Sequence, residues 1–166
     1  MSAAGGNEKS AVKAPETGTV PKRDSAPKAY LGRRYHFSSS HRLHSDAYTE
    51  EQNRAVYGKC NNPLGHGHNY VVEVVLSGRV DEATGMVCDL GELDAFARKE
   101  ILERFDHMHL NTLESFSKAV PTSENLCIEI YRIFKAGYTG AHLEHVRVLE
   151  TNNNAFEYAG DGAAAE

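Results

Sequence analysis

The sequence predicts an α+β fold: a four-stranded antiparallel sheet with two helices packed on one face, in the order β-β-α-α-β-β. Three observations predict it. Residues 35–43 alternate in polarity and residues 68–76 are rich in β-branched side chains, as strands are. Residues 89–105 and 122–137 repeat apolar side chains at helical spacing. Two short alternating segments then close the chain at 144–151 and 154–158.

Taken in order, residues 1–29 hold Ala, Gly, Lys, Pro and Ser with no aromatic, so they read as a disordered tail before a folded domain over 30–166. In the first strand Tyr35, Phe37, Ser39, His41 and Leu43 share one face, with His36, Ser38, Ser40 and Arg42 on the other. Residues 45–65 read as a polar loop, and 81–85 (D-E-A-T-G) as a turn. Asp89 and Glu92 have capping-box spacing and open a helix that turns Leu90, Leu93, Ala97, Ile101 and Phe105 inward. Thr122 caps the second helix, with Leu126, Ile130, Ile133 and Phe134 inward, and Gly137 ends it. Asn152–Asn154 forms an Asn-rich hairpin turn.

With 166 residues, 40% hydrophobic and 25% charged, the chain is sized for one globular core. No apolar run approaches a membrane span, and the N-terminus lacks a secretory pattern, so a cytoplasmic protein is expected. The net charge of −5 divides into +2 on the tail and −7 on the remainder, which argues against nucleic acid. The three cysteines are widely spaced and odd in number, hence thiols rather than bridges.

His66 and His68 stand two apart at the mouth of a strand, so both imidazoles point to one side. His41 lies on the apolar face of the preceding strand, and pairing the two strands brings it alongside. Three neutral imidazoles suit Zn²⁺ at about 2.0–2.1 Å and leave a fourth position open, the form of a catalytic site. Gly67 reads as relief of crowding between the pair. A closed structural site of Cys60 plus the three histidines is disfavoured, because a domain with this much core needs no zinc staple. His36, His44, His142 and His145 read as solvated, and His109 receives no role.

Cys60 sits in a polar loop beside Lys59, where a cation and a metal favour a thiolate fit for proton transfer. Cys88 and Cys127, within apolar runs, read as buried small hydrophobes. Asp106–His107 is either a proton relay or a polar turn at a helix end. Glu150 shares a strand face with Val146 and Val148, so it is either paired or holds a ligand.

With those residues assembled, the chain resembles the 6-pyruvoyl-tetrahydropterin synthases from about Arg33 to Tyr158. The resemblance rests on F-S-S-S-H-R-L at 37–43, G-K-C-N-N-P-L-G-H-G-H-N-Y at 58–70 and T-G-M-V at 84–87. D-H-M-H-L-N at 106–111, P-T-S-E-N at 121–125 and L-E-T-N-N-N at 149–154 continue it in order.

It implies a T-fold whose subunits join edge to edge into trimeric barrels and stack as a homohexamer, a dimer of trimers with active sites between subunits. It implies a zinc-dependent carbon-oxygen lyase that eliminates triphosphate from 7,8-dihydroneopterin triphosphate to give 6-pyruvoyl-tetrahydropterin, in tetrahydrobiopterin synthesis. On that likeness His41, His66 and His68 hold Zn²⁺, Cys60 is the general base, and Asp106 and His107 are its partners. Glu150 anchors the pterin, with Thr122 and Ser123 beside the ring. The triphosphate falls to Arg33, Arg34 and Lys59. Two other readings stay open: a 6-carboxy-tetrahydropterin synthase of queuosine synthesis, and a non-catalytic pterin- or zinc-binding module. His109 departs from the family's usual Asn, and Ser123 from a second Thr.

Overall fold

A computed structural model gives the fold and describes residues 26–162. Strands β1 (Lys28–His41) and β2 (His66–Arg79) pair antiparallel over their whole length, from Lys28 opposite Arg79 to His41 opposite His66. Strand β4 (His142–Leu149) adds to the far side of β2, and β5 (Ala155–Tyr158) closes that edge as a hairpin. A fifth strand was not expected. β3 (Met108–His109) runs parallel to β1 at Ser39 and Ser40, giving the order β3-β1-β2-β4-β5. Two residues are too few to carry a period, so nothing in the sequence could announce it.

β1 also begins earlier than its clean alternation suggests, and Lys28 and Ala29 belong to it rather than to the tail. The rest of the tail, residues 1–25, lies outside the described residues. Arg33 hides the pattern because it occupies a core-facing position between Leu31 and Tyr35. Its guanidinium is held bidentately by Asp94 of α2 (Leu90–Ala97), at 3.0 and 2.6 Å, and the Tyr35 hydroxyl donates to the same carboxylate. A charge with two fixed partners can sit on a core face.

Residues 45–65 are not a loop throughout. Helix α1 (Glu50–Tyr57) starts on a reciprocal capping box between Thr49 and Gln52, then passes into a 3₁₀ turn at Gly58–Asn61. Asn53, fully buried, secures the approach to it. Its side chain accepts from Ser45 N at 2.8 Å and donates to the carbonyls of Ser45, Tyr48 and Thr49.

The helix expected over 89–105 is built in three parts: α2, a π turn at Arg98–Leu102, and α3 (Glu103–Phe105). Asp89 accepts from the N–H groups of Gly91 and Glu92 as the expected cap. Leu93, Ala97, Ile101 and Phe105 are all buried and recur every four residues. An α-helix advances about 3.6 residues per turn, so such a row drifts around it, and the wider π turn brings it back to the sheet. Leu90, expected inside, is exposed at the first turn. Helix α4 (Ser123–Gly137) follows on its Thr122 cap and buries Leu126, Cys127, Ile130, Tyr131 and Phe134. Both helices cover the sheet face formed by Tyr35, Phe37, Tyr70, Val72, Val74, Leu76, Val146 and Val148. Cys88 and Cys127 lie in that core as expected, and burial pushes the Cys127 thiol up to about 12. Among the described residues, no helix is long and apolar enough to cross a membrane.

Because Asn53 satisfies four backbone groups at once, Asn53→Ala is expected to lower stability by about 2 kcal/mol. Urea unfolding of the two proteins at equal m-value checks this.

Candidate metal centre and its surroundings

The β1–β2 register places His41 directly opposite His66, and the two-residue period puts His68 on the same face. That face is the core face, so the three rings line the end of the hydrophobic layer. Their ligand nitrogens all lie within 4.8 Å of one another, and Nε2 of His41 is 3.1 Å from Nε2 of His66. His41 is buried at 1% exposure; His66 and His68 are half-buried.

The surroundings select the neutral, ligating form. Nδ1 of His41 donates to the carbonyl of Pro121 at 2.7 Å, which leaves the Nε2 lone pair facing the other two rings. Burial holds the His41 and His66 pKa values below their ordinary 6.5, and the neighbouring His68 lowers both further. Among the described residues, Nε2 of His68 is buried without a hydrogen-bond partner, 3.4 Å from Oε1 of Glu150. Converging imidazole nitrogens, with His66 Nδ1 and His68 Nε2 both buried and unpartnered among the described residues, are what a divalent ion and its surroundings satisfy. The donor set fits a metal.

Glu150 lies one residue beyond β4, and its Oε1 is also 3.8 Å from Nε2 of His41. The Ser123 hydroxyl donates to that same oxygen at 2.8 Å from a site only 3% exposed. The carboxylate on an apolar strand face is therefore partnered, and it faces the histidines. Thr122 uses its hydroxyl on the N–H of Asn125, as a helix cap.

The glycine that matters is Gly65, not Gly67. At Gly67 an added Cβ would meet only the Ser39 carbonyl, at 3.4 Å, because that position faces away from the rings. Gly65 has φ of +72°, and a Cβ there would approach the His41 carbonyl to 2.9 Å and the His109 ring to 3.1 Å. Its signal was present: Asn62-Pro63-Leu64-Gly65 has Pro and Gly at the second and fourth turn positions, and Gly65 N closes on the Asn62 carbonyl at 2.8 Å. His109, which had no role from sequence, packs under this turn and hydrogen-bonds Ser40 through Nδ1 at 3.0 Å. The Pro121 carbonyl had no possible sequence signal, since every residue carries one.

Cys60 is half-buried in the 3₁₀ turn, and its carbonyl accepts from Leu43 N at 2.8 Å, two residues after His41. Asp106 and His107 form a pair at 2.9 Å just past α3. Asp106 also accepts from the Ser38 N–H, and that bond, followed by His107, holds its carboxyl below the usual carboxylate range. His107 takes φ of 58°, gives its N–H to the Ser38 carbonyl, and leaves its ring 83% exposed. Among the described residues, no hydrogen bond or ion pair joins Cys60 to either. One chain thus brings the histidines and Glu150 together, and keeps the thiol and the Asp–His pair as separate groups. Of the basic residues expected to meet phosphate, Arg33 is taken by Asp94, and Arg34 by Glu73 at 3.4 Å.

A candidate metal seat on the core face of a mainly antiparallel sheet, closed over by the mouth of a helix, makes this a T-fold protein with a cluster of three histidines. The family model described as 6-pyruvoyl tetrahydropterin synthase matches residues 30–161, and the chain belongs to that family. It is 40% identical over 134 residues to the 6-pyruvoyl tetrahydrobiopterin synthase of Homo sapiens, covering 80% of this chain and 92% of the relative. It is 41% identical over 133 residues to the enzyme of the same name from Dictyostelium discoideum, covering 79% and 96%. The solved structure of Caenorhabditis elegans 6-pyruvoyl tetrahydropterin synthase superposes with a TM-score of 0.78 at 38% identity, over 82% of this chain and 98% of that one.

Two outcomes follow from this geometry. Gly65→Ala is expected to lower metal occupancy, read as bound metal after dialysis, because the added Cβ strains the turn that presents His66. The depressed pKa values of His41 and His66 mean that protons compete for these two nitrogens only below 6.5, so metal held by them is expected to persist as pH falls through that value and to leave further down. Metal content measured across the pH range checks this, and release centred above 6.5 contradicts it.

Proposed function

We propose that this chain is a zinc-dependent carbon-oxygen lyase. It converts 7,8-dihydroneopterin triphosphate to 6-pyruvoyl-tetrahydropterin with loss of triphosphate, in tetrahydrobiopterin synthesis. The single observation that carries the reading is the convergence of His41, His66 and His68 in a member of this family. Zn²⁺ held by those three rings supplies Lewis acidity, lowering the cost of removing protons from the substrate side chain.

The chain's own residues do the rest. Cys60 takes and returns protons at its sulfur. Asp106 accepts from His107 and fixes its ring, which stands out from the surface to accept or return a proton at Nε2. Since the thiol and this pair are separate within one chain, we place their meeting between subunits of a homohexamer, a dimer of trimers, working in the cytoplasm. Glu150 offers its carboxylate to the pterin edge, and the Ser123 hydroxyl, donating to Oε1, holds that carboxylate in place. Ser123 acts on the substrate through Glu150, and Thr122 through the helix start it caps.

Incubating the protein with 7,8-dihydroneopterin triphosphate and weighing the product tests the reaction. A three-carbon pyruvoyl side chain is expected; a one-carbon carboxylate assigns the queuosine-type reaction instead. Cys60→Ala is expected to keep its zinc and to lose roughly two orders of magnitude in turnover. Unchanged turnover removes Cys60 from the mechanism, and a wild-type chain that binds pterin without turnover is a binding module.

A further inference from the structure

We infer that Arg42, Arg54 and Lys59 form a subsite for a polyphosphate, which on the functional reading above is the triphosphate tail of the substrate. The three line one cavity of about 560 Å³ together with Glu50, Asn61 and Asn62. They bring three positive charges to one place on a chain whose net charge is −5, against a single carboxylate.

None of the three is tied up by a close ion pair. Arg42 donates through Nε to the Asn61 carbonyl at 3.1 Å, and its terminal nitrogen stands 3.8 Å from Glu50. Among the described residues, the Arg54 side chain donates only to the backbone carbonyl of Glu50, at 3.3 Å. The Lys59 side chain has no hydrogen bond or ion pair among the described residues, and its backbone carbonyl accepts from the Asn62 N–H. Arg33 and Arg34 are the contrast, each matched by a carboxylate.

The subsite is also held in place. Asn111 grips the backbone of Arg42 on both sides, accepting from its N–H and donating to its carbonyl at 2.8 Å each. Arg42 follows the metal ligand His41, and Lys59 precedes Cys60; the two segments are joined by the bond from Leu43 N to the Cys60 carbonyl. Fixed guanidinium forks and a mobile ammonium are the side chains that bind phosphoryl oxygens. A chain of three phosphates needs several such donors in a row.

Titration calorimetry of magnesium triphosphate into the full-length, metal-loaded chain tests the inference, with the protein's metal content measured before and after. Binding is expected in the wild type. Arg54→Ala and Lys59→Ala are each expected to weaken it roughly tenfold, the scale of one charge-assisted hydrogen bond. Glu50→Gln is expected to tighten it, and Arg34→Ala to leave it unchanged. No binding by the wild type overturns the subsite, as do unaltered affinities in the Arg54 and Lys59 variants or an equal loss in Arg34→Ala. If these expectations hold while the product assay yields no pyruvoyl compound, the polyphosphate subsite stands and the assigned reaction falls.

Discussion

The unbroken antiparallel ladder between β1 and β2 is the constraint on which the rest of the molecule depends. Side chains alternate faces with a period of two, so slipping the register by one residue would turn His41 away from His66 and send the inward row of Tyr35, Phe37 and Ser39 out to solvent. The apolar core and the convergence of the three histidines therefore depend on the same register. Helices α2 and α4 cover the face that results, and the start of α4 closes over its end.

That closure explains why a buried imidazole is tolerated. His41 is a polar ring in the last row of a hydrophobic layer, and its Nδ1 proton goes to the carbonyl of Pro121 at 2.7 Å, with the Tyr70 hydroxyl further off at 3.5 Å. The segment before α4 has its own anchors: Thr122 caps Asn125, and Asn125 donates back to the Val120 carbonyl at 2.8 Å. A helix cap thus fixes the carbonyl, the carbonyl fixes the tautomer, and the tautomer leaves a lone pair for an ion. Ser123, the first residue of the same helix, reaches Glu150 across the site. One helix start organises two sides of the centre.

The groups outside this rigid layer are arranged differently. Cys60 hangs on a short 3₁₀ turn beyond α1, while Asp106 and His107 follow α3 beside the two-residue strand β3. Cys60 is pinned to Leu43, two residues past the end of β1, and the Asp–His pair is pinned to Ser38 within it. The segment that carries His41 and runs on to Leu43 fixes both flanking sets of polar groups, on separate stretches of one backbone.

Much of this was legible in the sequence, and what was hidden had physical causes. The long strands, the caps at Asp89 and Thr122, the buried thiols and the three convergent histidines follow from periods and spacings that local chemistry dictates. Helix α1 was missed although Thr49 and Gln52 announce a capping box, because Glu50–Tyr57 has too few apolar positions to show a helical stripe. Arg33 masked the first half of β1 because its neutralising partner, Asp94, lies some sixty residues away in the chain. By itself the sequence determined which residues can face the core and which donor types can hold an ion, since both depend only on side-chain chemistry and on the repeat of the local backbone. Only the tertiary structure decided which backbone carbonyl orients His41, that Gly65 rather than Gly67 must be small, and which arginines are left with charge to spare. Those outcomes depend on groups brought together from distant parts of the chain, and no local pattern encodes such a meeting.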